Sequence, residues 1–200
     1  MSEAAPFAAL VLAAGRSTRM GGPNKLLQDW RGKPLVRHAV ESAVASGAAP
    51  VLVVTGHQAE AVATALGGLP VALVHNPLFA EGLATSLKAG VAALPDAMQA
   101  VAVMLGDMPL VNAGLLQHLA HALDGRPDAL AAVPVRNAEW GNPVLLRAAL
   151  FPRIAGLSGD AGARKLLQGE RDRVVACPVE DDAVALDIDT PDALAALRDR

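Results

Sequence analysis

The stretch Leu10-Val11-Leu12-Ala13-Ala14-Gly15-Arg16-Ser17-Thr18-Arg19-Met20-Gly21, followed at short distance by Asn24-Lys25-Leu26-Leu27, decides how the rest of the chain is read. An apolar run too short for a helix passes straight into a glycine-hinged, cationic loop. This predicts a buried parallel strand that delivers a phosphate-binding loop to its carboxyl end. Small residues at Ala13, Ala14 and Gly15 let a ligand approach the main chain, where successive N–H groups can point at one anion. Arg16, Arg19 and Lys25 add mobile positive charge. Between Arg16 and Arg37 the basic residues Arg16, Arg19, Lys25, Arg31, Lys33 and Arg37 face a single acid, Asp29, although the whole chain carries a formal charge of −3. The basicity is local, so the expected partner is a small anion and the loop reads as a place for a nucleotide.

Two other phosphate motifs do not fit. A Walker loop requires a second glycine followed by Lys-Ser/Thr, but Met20 stands at that spacing from Gly15 and Lys25 precedes Leu26. A dinucleotide fingerprint requires glycines where Ser17 and Met20 stand.

Composition narrows the class further. At 200 residues one domain, 1–200, is the expectation, with length enough for a sizeable core. Hydrophobic residues make up 52% and aromatics only 2%, so the core must be filled by small aliphatic side chains, which suits helices packed closely on a Val-rich sheet. Cys177 is the only cysteine, which excludes an intrachain disulfide and a Cys-based metal cluster and points to the cytoplasm. Glu3 stands where a secretion signal would carry basic residues, and no apolar run approaches the ~18 to 20 residues of a membrane span. Local basic charge without interleaved aromatics argues against a nucleic-acid platform.

Along the chain, strand and helix signals alternate. A helical pattern runs from Pro34 and Leu35 to Ser46, Val51 to Thr55 reads as a strand, Gly56 to Leu66 as a helix and Val71 to His75 as a short strand. A loop from Asn76 leads to a helix near Ala84 to Leu94, whose start Thr85 or Ser86 could cap. Ala100 to Leu105 is a clean central strand ending in Gly106-Asp107-Met108-Pro109. An acid at the carboxyl end of such a strand sits where open α/β sheets bind ligands, so Asp107 is the best single metal-ligand candidate. The alternative is a turn in which Asp107 caps the helix that follows from Asn112. In that helix, Asn112 to Asp124, His118 and His121 lack partners at zinc-site spacing and read as a surface pair. Ala129 to Val135, Arg173 to Val179 and Val184 to Ile188 read as strands. The last leads into Asp187-Ile188-Asp189-Thr190-Pro191, where Thr190 is a natural N-cap with Pro191 at the first helical position. Asp187 and Asp189 point the same way in an extended segment, which is costly unless a cation neutralises them. The alternation predicts a Rossmann-like α/β three-layer sandwich, a mostly parallel sheet with helices on both faces.

The opening motif, with Gly15, Ser17, Arg19, Met20 and Lys25 at their spacing, resembles that of the pyrophosphorylase-like nucleotidyltransferases. The longer match through Asn-Lys-Leu-Leu is similar to the molybdenum cofactor cytidylyltransferase branch, the MobA-like NTP transferases. The resemblance extends over nearly the whole chain and implies a nucleotide-diphospho-sugar transferase type of fold. It implies a nucleotide site made by Leu12, Ala13, Ala14, Gly15, Arg16, Ser17, Arg19, Met20, Lys25 and Gly106, with Gly82, Thr85 and Ser86 beside base and ribose. Gly141-Asn142-Pro143 resembles a segment lining the acceptor side, though it could equally be turn chemistry. Gly159, Asp160, Gly162 and Arg164 match a glycine-rich helix start suited to the acceptor's phosphate or pterin. Asp107 corresponds to the family's metal aspartate and the Asp187/Asp189 pair to its second metal-binding acid, with Asp189 favoured.

The implied reaction is Mg²⁺-dependent: Arg19, Lys25 and Asp107 act while CMP passes from CTP to molybdopterin or molybdenum cofactor and pyrophosphate leaves. CTP is chosen because Leu-Ala-Ala-Gly and Gly-Asp-Met-Pro resemble the cytidylyl branch. The product's recipient would be a molybdoenzyme or its maturation chaperone. Two alternatives stand beside this: a guanylyl or sugar/alditol-phosphate transferase of the same fold, and a non-catalytic molybdenum cofactor carrier or chaperone. Hydrolysis by Ser-His-Asp or Cys-His has little support, since no G-x-S-x-G elbow exists.

Overall fold

A computed structural model describes residues 5–16, 24–180, 184 and 195, and in it the apolar run that opens the chain is β1 (Ala8–Ala13), buried at every position. A small hairpin follows, β2 (Asp29–Trp30) and β3 (Lys33–Pro34). Then come α1 (Leu35–Ala45), β4 (Val51–Thr55), α2 (Ala59–Ala65), β5 (Ala72–His75), α3 (Leu83–Ala92), β6 (Ala100–Leu105) and α4 (Ala113–Asp124). The remaining elements are β7 (Ala131–Arg136), β8 (Glu139–Trp140), β9 (Val144–Arg147), α5 (Phe151–Ile154) and β10 (Val174–Pro178). Short 3-10 segments include Lys25–Leu27 and Ala163–Leu167.

The main sheet runs β10-β7-β9-β6-β1-β4-β5, with β8 attached to β7. Strand β1 pairs in parallel with both β4 and β6, β4 with β5, and β7 with β10. Among the described strands of this sheet only β8 and β9 run against this direction, so the sheet is mixed but mostly parallel, as the alternating pattern predicts.

Side chains alternate across β1 and sort the core into two layers. Ala9, Val11 and Ala13 face a layer with Val36 and Val40 of α1 and Leu116, Leu119 and Leu123 of α4. Ala8, Leu10 and Leu12 face the other, with Leu87 of α3, Ile154 of α5 and Leu166 and Leu167 beyond it. Helices therefore cover both faces. At Gly90 the helix α3 lies so close to β1 that a Cβ would overlap the Leu10 side chain. No helix among the described residues is long and apolar enough to cross a membrane.

The structure corrects five local readings. Val144-Leu145-Leu146, which directly follow Gly141-Asn142-Pro143 and are given no strand by the sequence pattern, are the core of β9, an internal antiparallel strand 0–1% exposed. The reversal is set by the β7–β8 hairpin, whose turn residues Asn137 and Ala138 both have positive φ, 49° and 65°. The chain then returns to fill the space between β6 and β7. Helix α2 starts later than Gly56 because Gln58 is left-handed at φ 53°. Asn112, not Asp107, caps α4, its Oδ1 accepting from Leu115 N at 2.9 Å. The glycine-rich stretch before Arg164 opens a five-residue 3-10 segment, Ala163–Leu167, rather than an α-helix, so it has no helix macrodipole to offer an anion. Val184, expected in a strand, lies in a 3-10 turn, and residues 185–190 are outside the described ones.

Candidate active site

The site is built where β1 and β6 end side by side. Leu12 and Leu105 are register partners, and Gly106 N donates to Leu12 O at 3.0 Å. The loop Ala13-Ala14-Gly15-Arg16 and the turn Gly106-Asp107 thus leave neighbouring strands at one sheet edge, the place where open α/β sheets bind ligands. Leu12, Ala13 and Ala14 are buried, whereas Gly15 and Arg16 are exposed. Ser17, Arg19 and Met20 lie outside the described residues, as do Asp187 and Asp189.

Lys25 opens the 3-10 segment that follows the loop. Its position is fixed by Asn24, whose buried Oδ1 accepts from Leu26 N at 3.1 Å. The Lys25 Nζ donates to Asp107 Oδ2, and each side chain is only 13% exposed. A charge-assisted contact in so sheltered a place ties the first loop to the end of β6. Among the described residues no three His, Cys, Asp or Glu side chains gather as a metal cage. What the described residues of the edge offer instead is one hard carboxylate, Asp107, beside a cation. That donor set suits Mg²⁺ or Mn²⁺, which take one or two protein carboxylates and complete their shell with phosphate oxygens and water.

One strand further out, β4 ends beside β1, with Ala13 and Thr55 in register and His57 N donating to Ala14 O at 3.2 Å. Here Asn76, a loop residue by its sequence pattern, is 2% exposed. Its N–H donates to Thr55 O at 2.8 Å. Its side chain reaches Thr85 Oγ1 at 2.9 Å, Ser86 Oγ at 3.0 Å and Leu78 N at 3.0 Å. One asparagine therefore pins the loop before α3 to the end of β4. The available signal was its place immediately after the last residue of a strand.

Gly82 has φ 112°, and a Cβ there would run into the backbone of Gly159. Ala84 N also donates to Gly159 O at 2.9 Å. The nucleotide-side loop and the Gly159–Arg164 stretch, assigned from sequence to separate substrates, are thus in contact. Gly162 packs against Leu83, and Asp160 is exposed.

On the other side of Asp107 lies a cavity of about 210 Å³, lined by Met108, Arg136, Glu139, Trp140, Asn142 and Arg164 among others. Gly141 N donates to Pro134 O at 2.8 Å, and Asn142 N to Val184 O at 3.0 Å. Pro143, joined to Asn142 by a cis bond, is buried. Arg164 Nη1 donates to Trp140 O at 2.6 Å, and Arg171 covers the Trp140 ring with its guanidinium 4.9 Å from the centroid. Of the expected acceptor-side residues, Gly141, Asn142 and Arg164 line this cavity, while Gly159, Asp160 and Gly162 do not.

Residues 9–174 match the family model described as the MobA-like NTP transferase domain. The bifunctional protein GlmU of Anaeromyxobacter dehalogenans (strain 2CP-C) is 51% identical over 74 residues, 36% of this chain; the match spans only 14% of that protein's length. Nicotine blue oxidoreductase of Paenarthrobacter nicotinovorans is 29% identical over 192 residues, 94% of each chain. Among solved structures, Rv0371c from Mycobacterium tuberculosis H37Rv superposes with a TM-score of 0.82 at 28% identity, over 98% of this chain and 99% of its own. That protein is also known in complex with manganese. Mth528, a nucleotidyl transferase from Methanothermobacter thermautotroptrophicus, gives a TM-score of 0.84 at 26% identity, over 98% and 97% of the two chains.

Proposed function

The chain belongs to the MobA-like NTP transferase family, and we propose that it transfers CMP from CTP to the phosphate of molybdopterin or molybdenum cofactor, releasing pyrophosphate and forming the cytosine dinucleotide. The observation that carries this reading is the Lys25–Asp107 contact at the edge where the glycine loop of β1 also emerges. It supports a nucleotidyltransferase on the chemistry of the site rather than on relatives' names, one of which is an oxidoreductase.

In this reading the amides of Ala13 to Arg16 receive the triphosphate, and Arg19 and Lys25 place positive charge where the β and γ phosphates depart. Asp107 holds the Lys25 ammonium at the strand ends, so that the cation stands in place before the nucleotide arrives. A divalent ion held by Asp107 with Asp189 or Asp187, for which Mg²⁺ is our choice and the manganese complex of Rv0371c a parallel, would supply further charge neutralisation to the phosphates. The acceptor's phosphate oxygen attacks the α-phosphorus, and the bond to the bridging oxygen of pyrophosphate breaks. A phosphate monoester is already anionic near neutral pH. The chain therefore needs no general base, and its contribution is orientation and charge. The cavity bounded by Met108, Asn142 and Arg164 is our choice for the acceptor.

The test is product analysis after incubating the pure protein with Mg²⁺, molybdenum cofactor and, separately, CTP, GTP and ATP. Cytosine dinucleotide and pyrophosphate from CTP alone is the expected result. Turnover with GTP would keep the chemistry and overturn the base; cofactor binding with no nucleotide consumed would replace the reading with a carrier.

A further inference from the structure

We propose that Asn76 is a positioning residue for nucleotide selection, acting by fixing the hydroxyl of Ser86 as a hydrogen-bond donor toward an acceptor oxygen of the bound nucleotide. The inference rests on the nucleotide site proposed above and adds the group that sets its polarity.

The orientation of the Asn76 amide follows from its neighbours. Leu78 N–H can only donate, so the atom 3.0 Å from it must be Oδ1, and Nδ2 faces the two hydroxyls. Each Nδ2 proton then has its own acceptor, Thr85 Oγ1 at 2.9 Å and Ser86 Oγ at 3.0 Å. Both hydroxyl oxygens are committed as acceptors on that side, and each must pass its own proton elsewhere. Thr85 does so within the protein, toward Gly82 O at 2.9 Å or Leu78 O at 3.0 Å. Ser86 makes no such donation among the described residues, although it is 3% exposed.

A sheltered donor without an acceptor is costly in a protein that has no other use for it. Here the donor belongs to α3 beside the end of β4, whose Thr55 is the register partner of Ala13 in the cationic loop. An oxygen acceptor supplied by the ligand, either a ribose hydroxyl or a base carbonyl, completes the arrangement. The Asn76 amide takes one Ser86 lone pair and keeps the Ser86 proton turned away from itself, so a ligand acceptor is the partner that satisfies that proton.

Asn76→Asp tests this directly, because it keeps the shape and inverts the polarity. A carboxylate accepts only, so the Ser86 and Thr85 protons turn inward and Ser86 then presents lone pairs to the ligand. Dissociation constants for CTP, dCTP and GTP with Mg²⁺ are measured by calorimetry on the full chain for wild type, Asn76→Asp, Asn76→Ala, Ser86→Ala and the Asn76→Ala/Ser86→Ala double variant, with melting temperatures alongside. Asn76→Asp and Ser86→Ala should each weaken CTP about tenfold. The double variant should bind no more weakly than Ser86→Ala alone.

Loss confined to ribonucleotides assigns the acceptor to the ribose, and a changed CTP-to-GTP ratio assigns it to the base. Unchanged CTP affinity in Ser86→Ala, or additive losses in the double variant, overturns the proposal and leaves Asn76 a purely structural link. If Asn76→Asp does not fold, the alanine cycle decides alone. Wild-type protein that binds none of the nucleotides would overturn the inference together with the nucleotide site beneath it, an outcome distinct from failure of the cycle alone.

Discussion

At the scale of single residues, the chain separates groups that can react from groups that are stored away. Cys177 sits in β10, 3% exposed, and burial pushes its thiol above the ordinary range because the thiolate would lose its hydration. In native buffer it should resist a maleimide reagent for hours and label at once in denaturant; rapid native labelling would contradict the burial. Glu41 is the opposite case. The hydrogen bond from Lys33 Nζ at 2.7 Å, aided by Arg37 Nε at 3.0 Å, holds its carboxyl below the usual range despite partial burial. Its pKa is lowered on folding, so the stabilisation is present above the unfolded carboxyl's pKa, about 4.3, and is lost as pH falls through the lower folded value. Unfolding monitored by circular dichroism should show a shallower acid loss of stability in Glu41→Gln than in the parent. On our reading Asp107 takes part in the reaction: Asp107→Ala should keep a cooperative melt and lose pyrophosphate release from CTP, and retained wild-type turnover would remove it from the proposed machinery.

At the scale of elements, close approach matters more than propensity. Because a Cβ at Gly90 would overlap Leu10, which is 0% exposed and has no solvent side to move toward, Gly90→Ala should destabilise by about 1–3 kcal/mol in urea unfolding even though alanine favours helix. This contact, like most of those that build the site, is not written in local sequence. Apolar runs were legible: Val51–Thr55 and Ala100–Leu105 are strands at the bounds their composition predicts, and α4 runs to Asp124 behind its Asn112 cap. Strand β9 was hidden because its apolar core follows Gly-Asn-Pro, which by itself reads as turn chemistry, and its direction depends on a hairpin whose non-glycine residues adopt positive φ. Asp107 could be found as an acid at a strand end. Its Lys25 partner, 82 residues away, could not, because that contact depends on the register of β1 against β6. Asn76 was passed over for a similar reason, since a polar residue beside a proline looks like loop until the structure shows it enclosed on every side.

At the scale of the whole molecule, the two halves of the candidate site hang from one sheet edge, the cationic loop on one flank of Asp107 and the cavity on the other. A ligand that bridges loops from several strands stabilises the fold by mass action. On our reading, CTP with Mg²⁺ at about a hundred times its dissociation constant should add ~2.7 kcal/mol to stability, seen as a raised melting temperature. CTP with a chelator should give a smaller shift, and equal shifts would argue against metal-assisted binding. The placement of β9 has a further consequence, for the order of assembly. Strands β1, β4, β5 and β6 are all made by Leu105 and can pair with one another as the chain emerges from the ribosome. Strand β7 is made next but has no partner among them, because its place in the sheet is joined to β6 only through β9. Until Arg147 has been synthesised, β7 and β8 can form at most a hairpin beside the nascent sheet. The sheet half built of β1, β4, β5 and β6 is thus the template on which the half built of β7 to β10 is completed, and a ribosome stalled between these points would hold a chain with the first and not the second.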